Sequence, residues 1–183
     1  MALPDSLKKA IVNMPVKEKD KLLLRLIQKE PILVERLHYE LIEEESTLVE
    51  RREELSTKIK RMAAYKQDTP GWLMMDLRSL SGDITHHVKI TKDKIAALEQ
   101  NLLMMVHFMQ NHQDMLRTYS SRSDTCALYL AKKANTILNA FNKLDEDYRF
   151  DYLSDINEML RLLHSLCSKT YARQLDIPEG LEG

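Results

Sequence analysis

The chain has 183 residues, of which 44% are hydrophobic and 30% charged, with a formal net charge of −1. That balance excludes a disordered chain, and the interleaving of basic and acidic residues leaves no clustered cationic face for nucleic acid. Four glycines, two of them (Gly180 and Gly183) near the C-terminal end, supply few of the turns a β protein needs.

The abundant Leu, Glu, Lys, Met, Arg and Ala lose little side-chain freedom in helices, so few and long helices are expected. Pro4-Asp5-Ser6 opens a first short helix with Leu7, Ala10 and Ile11 on one face, ended by Asn13-Met14-Pro15. Lys17 to Gln28 reads as a second, with Leu22, Leu23, Leu26 and Ile27 inward. Pro31 stops that helix and suits the first turn of the next. Residues 1–30 are thus two short helices expected to cover one end of a bundle.

From Pro31 to Gln67 no helix breaker occurs, and Val34, Leu41, Leu48, Leu55 and Met62 recur every seven residues. A repeat of seven sustained that long is a coiled-coil-like seam. Its second position is polar three times running, at His38, Glu45 and Arg52. Asp68-Thr69-Pro70-Gly71 is the clearest turn in the chain. Beyond it come Leu73, Leu77, Leu80 and Ile84, then Ile95, Leu98, Leu102, Met105, Met109, His112, Leu116 and Tyr119 with helical spacing. Trp72 to Tyr119 reads either as one helix, about 70 Å long at 1.5 Å per residue, or as two broken near Gly82. Residues 31–119 are expected to form a long antiparallel hairpin turning at 68–71.

Ser120 to Asp124 is a polar connector. Ala127, Leu130, Ala131, Ala134, Ile137, Leu138 and Phe141 line the next helix; Leu153, Ile156, Leu160, Leu163 and Cys167 line the last, after the turn at Asp145-Glu146-Asp147. Residues 123–175 therefore form a C-terminal helical hairpin, and 176–183 read as a tail. The expected fold is an all-α, elongated helical bundle of about six helices in one domain. Leu3 is followed at once by Pro4, Asp5, Lys8 and Lys9, unlike a signal peptide. No apolar run approaches the ~18–20 residues of a membrane span. With two cysteines and no secretion signal, a cytoplasmic setting is expected.

Three polar groupings carry candidate chemistry. Glu35 and His38 have the Glu-x-x-His spacing of carboxylate-bridged iron or manganese bundles, since residues three apart share a helix face. Cys126 and His164 lie equally far from the turn near Asp145, and Cys167 follows His164 on one face, so these soft ligands would converge as a zinc site requires. Packing accounts for the same cysteines, which are often ordinary buried residues. The polar or adaptable seam residues Glu45, Arg52, Met105, Met109 and His112 are candidates for contact with another helix. No stretch carries a catalytic or cofactor motif. The leading reading is a non-enzymatic interaction or scaffold protein, a homo-oligomer presenting coiled-coil-like helix faces to a protein partner. The alternative is a metal-binding helical bundle, enzymatic or not. A nucleic-acid accessory role ranks third, resting on Lys89, Lys92 and Lys94.

Overall fold

Breaks in the chain, more than its apolar stripes, decide how the helices pack. A computed structural model describes residues 3–182, the Glu45 side chain excepted. Among the described residues there are ten helices and no strand. They are α1 (Asp5–Val12), α2 (Val16–Ile27), α3 (Pro31–Leu41), α4 (Glu45–Ala64), α5 (Pro70–Thr91), α6 (Lys94–Asn111), α7 (Gln113–Leu116), α8 (Asp124–Phe141), α9 (Glu146–Ser165) and α10 (Lys169–Gln174). The all-α fold follows the composition. The count exceeds six because the two longest expected helices and the last one are interrupted.

The chain divides into two units, one running to Glu44 together with Lys89–Thr91, the other comprising Glu45–Val88 and Lys92 onward. In the first, Pro31 opens α3 at the start of its first turn. The helix stops at Leu41, where the Ile42 and Glu43 N–H groups both donate to the His38 carbonyl. No proline or glycine stands there. Glu43, Glu44 and Glu45 would set three acids in one helix, whereas a break places them at the favourable N-terminal end of α4. The heptad pattern therefore runs straight across a real break, and Leu41 is 73% exposed. No residue of α1, α2 or α3 is buried.

In the second unit, Thr69 caps α5 by accepting the Trp72 N–H, with Pro70 in the first turn. Lys58 of α4 meets Asp83 of α5 at 2.7 Å, and Gln67, just beyond the end of α4, donates to Asp76, so the two helices run antiparallel. Gly82 does not interrupt α5. A Cβ there would meet nothing within 4 Å, so this glycine sits on an open face while Leu73, Leu77, Leu80 and Ile84 fill the core. The break comes ten residues later. Lys92 takes the left-handed conformation at φ 61°, and the Asp93 carboxylate caps α6 by accepting the Ala96 N–H at 3.0 Å.

That reversal sends α6 back along the bundle, parallel to α4. Arg52 meets Asp93, Ser56 meets Gln100, and the Ala63 carbonyl accepts from Asn111. α6 is buried on nearly every side, at Ala96, Leu98, Gln100, Leu102, Met104, Met105, Phe108 and Met109, as a central helix must be. α4, α8 and α9 pack around it. Ser81 of α5 hydrogen-bonds Tyr129 of α8 at 3.0 Å. On α8 the whole apolar face is buried, with Ala127, Ala131 and Ala134 allowing close approach.

The expected last helix ends at Ser165, because Leu166 is extended, and α10 follows separately. Residues 176–182 are anchored, not loose. The Ile177 N–H donates to Ala172, Ile177 is 5% exposed, and Asn157 bonds both the N–H and the carbonyl of Leu181. Among the described residues no helix is long and apolar enough to cross a membrane.

Candidate functional site

A partly polar concavity of the second unit lies along α6, between α4 and α9. Residues four apart share a helix face, so α4 turns Arg52, Ser56 and Lys60 the same way. α6 contributes Glu99, Leu103, Val106 and His107, and α9 contributes Tyr152 and Asp155. Together with Gln100, most of these line a groove of about 350 Å³.

One end is closed by a charged network. The Arg52 guanidinium donates through Nε at 2.6 Å and Nη2 at 2.5 Å to Oδ2 of Asp93, whose Oδ1 caps α6. Arg52 Nη1 lies 3.7 Å from Glu99, and Tyr152 donates its hydroxyl to the same carboxylate at 2.8 Å. Burial and that hydrogen bond push the Tyr152 phenol up to about 12, so it stays a donor. His87 is 8% exposed with Nε2 3.9 Å from Asp93. Burial holds its imidazole below the ordinary value, against the pull of Asp93 and with the push of Arg51 and Arg52. In mid-groove Ser56 and Gln100 exchange hydrogen bonds at 2.9 and 3.1 Å. At the far end burial, aided by Lys60, holds His107 low.

The residues singled out from sequence are scattered through the fold. Glu35 and His38 lie exposed on α3, where His38 Nδ1 is 3.1 Å from Glu43. Cys126 and Cys167 are buried close enough to influence one another. Burial, reinforced by Cys167, drives the Cys126 thiol up to about 12, and burial also raises Cys167. Both are thiols at neutral pH, which suits packing and not nucleophilic attack. His164 Nε2 stands 3.1 Å from the Ile177 and Pro178 carbonyls, so that nitrogen carries the proton and donates; Nδ1 lies 4.0 Å from Glu179. Among the described residues no three His, Cys, Asp or Glu side chains gather as a metal ion would require.

Of the seam residues, the Glu45 side chain lies outside the described residues, and Arg52 is tied to Asp93. Met105 and Met109 are fully buried within the bundle, so they cannot face a partner. An apolar stripe reads the same whether its mate is another helix of the chain or another molecule. His112 is 6% exposed, its ring tilted 37° against Phe108, and its buried Nε2 has no hydrogen-bond partner among the described residues. Burial holds its imidazole low, over the opposing influence of the Ala63 carbonyl and Asp76.

Asp93, Gln100, Tyr152 and Asp155 escaped the sequence reading. Gln100 had a signal: it interrupts the stripe Ala96, Met104, Phe108, all buried. A second cluster was also missed, in which Tyr119 (2.6 Å) and Tyr171 (2.5 Å) both donate to Oδ1 of Asp124, joining α10 to the start of α8. No protein-family model, curated protein or solved structure matches the chain.

Proposed function

We propose that the protein works by association and not by catalysis, and that helices α1 to α3 form the contact between two copies of the chain. The observation that carries this reading is their exposure. Twelve large apolar side chains from Leu3 to Ile42 stand open, among twenty described in the whole chain, while no residue of these helices is buried. A dozen such residues within forty positions is more than scattered surface hydrophobicity, and supports an interaction face.

Charge supports a second copy of the chain as the partner. Residues 3–29 hold seven basic and three acidic residues, whereas 30–44 hold one basic and five acidic. A two-fold pairing that sets α1 and α2 of one copy against α3 of the other brings opposite charges together while covering the apolar side chains. Helix-on-helix contact of this kind needs no cofactor, and a cytoplasmic setting keeps the two buried thiols reduced.

Sedimentation equilibrium tests this. The expected result is a dimer at micromolar concentration, converted to folded monomer by the paired changes Leu23→Glu and Leu24→Glu on exposed positions 57% and 61% accessible. A monomer at 100 micromolar in the unsubstituted chain, or a dimer untouched by these changes, would overturn it.

A further inference from the structure

The groove between α4, α6 and α9 carries two opposite charges that the network at its closed end does not use. Lys60 stands on the α4 wall and Asp155 on the α9 wall, both exposed, and no salt bridge or hydrogen bond occupies either one among the described residues. Glu99, by contrast, is already engaged by Tyr152 and Arg52. Lys60 and Asp155 do not pair with each other because α6 lies between their helices. With the three helices in line, two helix contacts of about 8–10 Å each, less the 5–6 Å that side chains reach from each axis, leave a gap on the order of 4–10 Å between them.

We propose that this groove binds a small zwitterion whose ammonium and carboxylate are separated by several ångström, of the size of an ω-amino acid or a short peptide. A simple anion would meet Lys60 but face Asp155, and a simple cation the reverse. A ligand bearing both charges satisfies both walls. Leu103 and Val106 offer an apolar surface to its methylene chain, and the Ser56–Gln100 pair retains hydrogen-bonding capacity for a polar centre. The carboxylate binds at the Lys60 and His107 end and the ammonium at Asp155. This site is independent of the self-association proposed above, since it lies wholly within the second unit.

The experiment is calorimetric titration of the full chain with 6-aminohexanoate and with triglycine, beside hexanoate and hexylamine as single-charge controls. Saturable binding of at least one zwitterion, at least tenfold tighter than either control, is expected. Lys60→Gln and Asp155→Asn should each weaken it about tenfold, the effect of losing one charge-assisted hydrogen bond. Because both positions are exposed, the thermal midpoint should hold. The double exchange Lys60→Asp with Asp155→Lys should restore binding in the reverse orientation. No saturable binding of either zwitterion up to 10 millimolar, controls that bind as tightly, or single variants that leave affinity unchanged would each overturn the proposal. A preference for triglycine over 6-aminohexanoate would identify the ligand as peptidic, and the opposite order as an ω-amino acid.

Discussion

Asp93 is the residue through which the α5–α6 reversal is held, and replacing it separates two of its contributions. Its Oδ1 caps α6 and its Oδ2 receives Arg52 at 2.5–2.6 Å. Loss of an N-cap to alanine costs about 1 kcal/mol. The ion pair is intermediate between surface and interior, with side chains 8% and 32% exposed. Such a pair contributes on the order of 1–2 kcal/mol, between the less than ~1 of exposed pairs and the ~3–5 of breaking a buried one. Asp93→Ala should therefore destabilise the protein by about 2–3 kcal/mol. Asp93→Asn keeps a good cap and loses the charge, and should cost only about 1–2 kcal/mol. Urea unfolding followed by helical circular dichroism reads the difference, at about 1 M in midpoint for the alanine variant with an ordinary slope. If asparagine proves as damaging as alanine, the cap contributes nothing and the account of the reversal is wrong. Changes below about 0.5 kcal/mol in both variants would refute the ion pair as well.

Gly82→Ala should stabilise the protein by up to ~1 kcal/mol, because the helix passes through this position and an added Cβ meets no atom within 4 Å. A lower thermal midpoint for this variant would contradict an uninterrupted α5. Acid should weaken the fold through His87, His107 and His112, whose imidazoles burial holds below the ordinary 6.5. The unfolded chain takes up protons near pH 6.5 while the folded chain does not. The stability these groups lend is thus full above that pH and lost as the pH falls towards their folded values. The urea midpoint should be lower at pH 5.5 than at pH 7.5, and His112→Gln should reduce the difference. Identical midpoints at the two pH values would show that burial does not restrain these protons.

The candidate groove was legible only in pieces. Arg52 stood out as a polar residue on an apolar seam, yet its partner Asp93 is 41 residues away and its groove mates Tyr152 and Asp155 lie on α9. Groups that far apart share a site only after the order and direction of the helices are known. The converging ligands imagined for Cys126, His164 and Cys167 had the same difficulty. Equal distance from a turn does not say that the end of the chain will return to take His164 through Ile177 and Pro178.

Local chemistry suffices for much else. The scarcity of glycine, the spacing of Ala127 to Phe141 and the Pro31 and Pro70 starts determine helices and their buried faces, because propensity, capping and periodicity act over a few residues. Where a helix stops without a breaker is another matter. The heptad pattern crosses Glu43–Glu45 unbroken, and the chain reverses at Lys92-Asp93 and not at Gly82, because Asp93 finds both the Ala96 N–H and the guanidinium of Arg52. The first of those contacts is local; the second exists only once α6 lies beside α4. Packing also decides which stripes are spent inside. Met105 and Met109 vanish into the bundle while Leu23, Leu24 and Leu41 remain outside, although hydrophobicity alone ranks them alike.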